Sequence, residues 1–353
     1  MANSFKQLLP EDVATTRTLL HEAIPITGTI VSGTYDDNNI KTFSHGMFES
    51  VYDYPYLSSS ANHIFDITAG YSPSSLLSSS AHVQNDKKIN IYNQMAQVLV
   101  GYDVSGNIQQ FDNDGNTSTS GDKMQECFFV NFSRLLTKDE IKKDSFRLDL
   151  YASASSVTGS QFRDDLFTIG DYGAQTGYLT NSPAGEYGLL YSSSDGDSAE
   201  LILGHVYYQA GIAVLTASYF EGAFGDPDST ITKPASEPRQ IEKQLTGSTI
   251  TELANGFRFT MDDVNFNNTT ELNSTIYFCR ANNTEYNYSS NPTYLSESEI
   301  RVKGSNPMAD PVSYITTVGL YSPDNELLAV AKLSEPLKKA PSNEITLRCR
   351  LDY

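Results

Sequence analysis

Residues 345–353 alternate without exception. Ile345, Leu347, Cys349, Leu351 and Tyr353 are apolar or aromatic, and Thr346, Arg348, Arg350 and Asp352 between them are polar. A β-strand turns successive side chains to opposite faces, so a period of two predicts a half-buried strand, whereas a helix would scatter the same residues round its circumference. Phe146, Leu148 and Leu150 alternate with Arg147 and Asp149 in the same way. Further strands are expected at 26–31, 127–132, 189–191, 201–208, 212–216, 257–261, 275–280, 314–320 and 327–333, where β-branched and aromatic residues cluster. Gln209-Ala210-Gly211 is a tight connection between two of them. Ser322-Pro323-Asp324-Asn325 is a turn in which Pro fixes φ and Asn tolerates the left-handed region.

Helical signals are fewer. Over 86–101, Ile89, Tyr92, Met95 or Ala96, and Leu99 recur at helical spacing, and Gly101 suits the end. At the N-terminus, Pro10 with Glu11 and Asp12 suits a first turn, and Pro25 suits a stop, so an arm followed by a helix is expected within 1–24. Thr137-Lys-Asp-Glu140 has capping-box spacing and predicts a short helix starting there. Residues 45–82 are rich in Tyr and Ser and hold a small echo, 57–63 against 77–82, read as packed loops. The expected fold is therefore mainly β with a few short helices, a β-sandwich-like body with minor α+β character and an extended N-terminal arm plus helix. Four regions are expected: an arm and helix at 1–44, a β-rich body with helix 86–101 at 45–220, a loop-rich excursion at 221–256, and a C-terminal β region completing the body at 257–353.

Composition narrows function. With 43 acidic against 24 basic residues, the net charge of −19 has the wrong sign for a chain that must neutralise phosphates, so nucleic acid is not an expected partner. No apolar run approaches the ~20 residues that span a bilayer, and the first residues lack a signal-peptide core, so no membrane role is expected. Cys127, Cys279 and Cys349 lie far apart in strand-like runs without metal-site spacing, and are read as buried, reduced thiols. Charged residues make up only 19%; their place is taken by Ser, Asn, Thr, Gly and 22 Tyr, a mixture suited to sheets and subunit contacts.

No catalytic, cofactor-binding or metal-binding residue emerges. The five histidines are His21, His45, His63, His82 and His205. His205, alone in a strand, reads as structural; His63 and His82 share the echo but need carboxylate company to hold a metal. Ser120-Gly-Asp-Lys123 matches SxxK without the motifs that accompany it in acyl-transfer enzymes. Acidic clusters occur at Asp112/Asp114, Asp164/Asp165, Asp195/Asp197 and Asp262/Asp263. The first resembles part of a calcium loop, but Gln110 and Gly121 occupy positions that need acids, so a turn is expected.

Three phrases of the second half carry a resemblance. Gly204–Thr216 (GHVYYQAGIAVLT) and Arg280–Tyr294 (RANNTEYNYSSNPTY) resemble segments of virion structural proteins of large tailed phages, especially marine ones. Tyr314–Lys332 (YITTVGLYSPDNELLAVAK) resembles them more closely, and is distantly similar to a hairpin of phage tail-fibre and tail-collar domains. The resemblance implies a virion component, made in the host cytoplasm, with no catalytic residue and no cofactor. Its partners are copies of itself and other virion proteins. Tail or baseplate comes first as its place, then neck or capsid-associated. The N-terminal arm is expected to reach a neighbouring subunit. A receptor- or glycan-binding adhesin and a glycan hydrolase are the alternatives.

Overall fold

The structure, a computed structural model, describes residues 5–27, 38–116, 123–157, 160–192, 201–220, 224–225, 240–288, 295–296, 299–300 and 310–353. After a 3-10 turn at Pro10–Asp12 come β1 (Val13–Thr27), β2 (Ile40–Thr42), β3 (Glu49–Tyr52) and β4 (His63–Tyr71). Helix α1 (Asn85–Leu99) leads to β5 (Glu126–Phe132), the single turn α2 (Arg134–Thr137) and β6 (Glu140–Ile141). β7 (Arg147–Val157) and β8 (Ser160–Gly170) precede the short α3 (Ala174–Gly177). Next come β9 (Tyr187–Tyr191), β10 (Ile202–Tyr207), β11 (Ile212–Thr216) and β12 (Phe224–Gly225). Helices α4 (Gln240–Gly247) and α5 (Ile250–Thr260) run into the long β13 (Met261–Ala281). β14 (Leu295–Ser296), β15 (Glu299–Ile300), β16 (Ser313–Tyr321), β17 (Leu327–Lys339) and β18 (Ile345–Asp352) complete the described elements. The fold is mainly β with few short helices, as the alternation predicts.

The chain divides into two compact units, one of Leu20–Thr270 and one of Met1–Leu19 with Glu271–Tyr353; β1 and β13 contribute residues to both. Within the larger unit the strands follow the order β13-β7-β8-β9-β10-β11-β5-β4-β3-β2, with antiparallel pairing throughout that path. Phe132 of β5 meets Phe146, just before β7, at 5.8 Å between ring centroids and Phe266 of β13 at 5.2 Å. Strands far apart in the order therefore face each other: the sheet curls until its two ends share one core. Helix α5 fills the space between, with Phe257 stacked on Phe128 at 4.8 Å.

β5 is apolar on both faces. Phe128, Val130 and Phe132 point into the shared core, while Cys127 and Phe129 point the other way, into a second cluster with Ile91, Tyr92, Ala96 and Leu99 of α1. Gly70, paired with Cys127, lies on that second face under α1, where a Cβ would meet the Lys88 carbonyl oxygen at 2.5 Å. A side chain at 70 would hold the helix off the sheet.

Four expectations are corrected. The stretch 45–82, read as packed loops, holds strands β3 and β4, the latter paired with β5. The N-terminal segment after Asp12 is strand, not helix: Thr15, Thr16 and Thr18 are β-branched, which disfavours helix, and Pro25 is tolerated in β1 at the end of the strand order. The helix expected to start at Thr137 instead ends there, followed by β6. Within the stretch read as a loop lie two helices, α4 over Gln240–Gly247 and α5 over Ile250–Thr260, so the strand expected at 257–261 begins only at Met261. Its Ile250, Leu253, Ala254 and Phe257 have helical spacing and bury one face, and Thr249 and Glu252 form a true capping box. The strand expected at 26–31 is seen to Thr27; the rest, and most of 221–239, lie outside the described residues.

Candidate interaction surface

The larger unit brings some of the singled-out polar residues together. His205 on β10 is buried against Tyr187 and Tyr207, with ring centroids 5.2 and 6.1 Å away. Its Nε2 lies 3.3 Å from the Asn113 carbonyl oxygen and its Nδ1 3.5 Å from the Tyr207 hydroxyl, so an Nε2–H tautomer donates to the loop. Burial pushes its pKa down to about 4, leaving a neutral ring. That loop holds Asp112 and Asp114 in a turn closed by Gly115 N–H donating to the Asp112 carbonyl oxygen, with Gly115 at φ +74. Burial and a shared hydrogen bond with Asp114 push the Asp112 carboxyl up, while the same bond holds Asp114 down. Lys123 pairs with Asp112, so an ammonium already occupies the carboxylate that a loop-bound cation would need.

His63 and Ser50 both contact Asp66 Oδ1, at 2.8 and 2.5 Å. The carboxylate sits between hydroxyl and imidazole, whereas nucleophile activation needs the imidazole in the middle. His82 binds the Leu77 carbonyl oxygen at 2.7 Å. Asp149 and Asp263 are direct cross-strand partners on β7 and β13, and burial pushes the Asp263 carboxyl up, with Asp149 adding to it. Two carboxylates on adjacent strands are not two held across a cleft, as glycoside hydrolysis requires. Among the described residues no three His, Cys, Asp or Glu side chains are grouped to hold a metal ion. Ser120, Asp195, Asp197 and the side chains of Asp164 and Asp165 lie outside the described residues.

The smaller unit presents a different kind of feature. β16 and β17 form a two-stranded sheet of their own, joined by the Ser322–Asn325 turn, in which Asn325 N–H donates to the Ser322 carbonyl oxygen at 3.0 Å and Asn325 takes φ +65. The register pairs Gly319 with Val330 and Thr317 with Lys332 and slips at Leu328, which is left without a cross-strand partner, while the Tyr321 ring and the Leu327 side chain lie over Gly319. Leu328 and Val330 are 68% and 51% exposed, and Leu327, Leu337, Tyr314 and Tyr321 on the same ribbon are exposed as well. At its base the ribbon is anchored: buried Lys339 donates to the carbonyl oxygens of Ala340 and Asn283 and to Asn287 Oδ1 at 2.7 Å.

The first described residues of the N-terminal segment pack within this same unit. Phe5 lies on Tyr321 with centroids 4.3 Å apart, the Lys6 ammonium reaches Glu285 and the Arg280 carbonyl oxygen, and Asp12 pairs with Arg280 at 2.6 Å. The strands of the ribbon are legible in the sequence; that neither gains a further neighbour among the described residues is a tertiary fact without a local signal. Comparison of the chain with family models, with curated proteins and with solved structures finds no match.

Proposed function

We propose that the chain is a structural subunit of a tailed-phage virion that acts by assembling with copies of itself and with other virion proteins, and catalyses no reaction. The ribbon β16–β17 carries this reading: two strands that pair only with each other among the described residues, with large apolar side chains in water. A two-stranded hairpin is marginal alone. Its open edges accept strands and its apolar face gains by being covered. The kind of particle rests on the resemblance of Tyr314–Lys332, which is this ribbon. Tail or baseplate is the first placement, neck or capsid-associated the next.

Replacing Leu328 and Val330 together by Thr keeps strand propensity and removes apolar surface. In sedimentation velocity the wild-type protein should associate with rising concentration and the double variant should remain a folded monomer. A wild type that stays monomeric, or a variant that associates equally well, overturns the reading. An adhesin is the second reading, favoured by Tyr54 and Tyr56, exposed on the loop between β3 and β4. Aromatic faces in water stack on sugars, and glycan binding lost in Tyr54→Ala/Tyr56→Ala would favour it.

A further inference from the structure

Two of the three cysteines meet. In the antiparallel pair β13–β18, Tyr277 stands opposite Cys349 and Cys279 opposite Leu347. Directly opposed residues share a face, so Cys279 and Cys349 lie on a diagonal of one face. Diagonal neighbours on such a pair stand at a Cα spacing of about 7–8 Å, so closing a disulfide between them draws the two strands slightly together. Both cysteines are free and half-buried, and Cys349 lies near enough to add to the upward push that burial gives the Cys279 thiol. The third, Cys127, is wholly buried and stands between Gly70 and Thr216, with no cysteine beside it.

We infer that Cys279 and Cys349 are a redox pair, which a peroxide converts to a disulfide tying β18 to β13. Burial pushes the Cys279 thiol up, so it keeps its proton and Cys349 makes the first attack. The Cys349 sulfur bonds to one peroxide oxygen, the O–O bond breaks, and the leaving hydroxide takes a proton to become water. The Cys279 sulfur then attacks the sulfenic sulfur, the S–O bond breaks, and a second water leaves with the Cys279 proton. Two thiols lose two electrons and two protons; the peroxide takes both and becomes two waters. The closed bond adds a covalent link between strands already paired by hydrogen bonds, and a thiol reductant reopens it.

The test uses the whole chain, reduced, treated with hydrogen peroxide, and then unfolded in guanidinium chloride with N-ethylmaleimide so that every remaining thiol, Cys127 included, is blocked. One blocked thiol per chain, a Cys279–Cys349 cross-linked peptide in non-reducing digests, and slower amide exchange across β18 are expected, all reversed by dithiothreitol. Cys279→Ser and Cys349→Ser should each abolish the cross-link and Cys127→Ser should leave it. Three blocked thiols after peroxide, sulfinic acid without a linked peptide, or a disulfide joining two chains overturns the inference. The peptide map of the wild type decides the matter even where a variant folds poorly.

Discussion

The ammonium nitrogen of Lys88 lies 2.7 Å from the carbonyl oxygen of Leu245, so a side chain of α1 caps the last turn of α4. The same nitrogen donates to Ser248 at 2.7 Å and to Val83 at 2.8 Å, and the residue has no exposed surface. Its burial holds the pKa down to about 8. Carbonyls at a helix end have no partner within the helix, and a cation there is favourable. Lys88→Met keeps the stem and strips three acceptors of their donor. It should cost about 3 kcal/mol, with the loss of desolvation offsetting part of a larger penalty. Urea denaturation measures it; an unchanged midpoint contradicts the capping role.

Gly70→Ala tests the contact between α1 and the sheet. The added methyl meets backbone at Lys88 O, 2.5 Å away, and at Tyr92 N, 2.9 Å away, and neither can rotate aside. Helix α1 must lift, loosening the cluster that contains Tyr92, Phe111 and Phe129. Overpacking of this kind costs about 1–3 kcal/mol, and the upper end is expected because the obstacle is main chain. A thermal midpoint equal to the wild type's speaks against the close approach.

His205 makes the protein sensitive to acid. Its folded pKa of about 4 lies below the ordinary value of 6.5, so on acidification the unfolded chain binds the proton first. The stability associated with the neutral ring is complete above pH 6.5 and is lost as pH falls towards 4. That loss amounts to about 3 kcal/mol. Asp171 works in the opposite sense: burial raises its carboxyl to about 6, so its contribution is complete in acid and is lost as pH rises through that value. The two overlap, so the histidine is read from the difference between wild type and His205→Gln, in which Asp171 is common. The difference should shrink steadily from pH 7 to pH 4. A constant difference means that folding leaves the ring's pKa unchanged.

Thr249→Ala removes one half of the capping box of α5. The Thr249 hydroxyl accepts from Glu252 N–H at 3.3 Å, and Glu252 Oε2 accepts from Thr249 N–H at 2.6 Å. Loss of the hydroxyl should cost about 1 kcal/mol, seen as a lower denaturation midpoint with unchanged slope. Thr249→Ser, which keeps the acceptor, should be near neutral; equal loss in both would assign the effect to the methyl group.

Part of the sheet was legible from alternation and β-branched clusters, while β3 and β4 lay in a stretch read as loops and β8 carried no recognised signal. β18 follows its alternation residue by residue, half-buried then exposed, and the Ser322–Asn325 turn forms as its residues dictate. Helix α1 lies where the period of 3.6 puts it, yet its buried stripe runs through Lys88 rather than Ile89, because a buried lysine satisfied by distant carbonyls carries no local signal. The N-terminal segment misleads because Pro10, Glu11 and Asp12 are helix-start residues that here make only one 3-10 turn, after which three threonines take over. The signal for α5 was present: Thr249 and Glu252 at capping distance and Ile250, Leu253, Ala254 and Phe257 at helical spacing, masked by an alternating Phe257-Arg258-Phe259. The meeting of His205 with Asn113 and of Cys279 with Cys349 depends on register between remote strands, which no short window contains.

The two-faced burial of β5 has a consequence for how the chain must come together. Cys127-Phe-Phe-Val130 is a short uncharged run of high β-propensity, shielded on one side by α1 and on the other by α5 and the far end of the sheet. Before those covers arrive it is the kind of segment that pairs with its own kind on another chain. Refolding from denaturant should therefore lose yield to precipitation as protein concentration rises, and changes that delay the docking of either helix should make that loss worse.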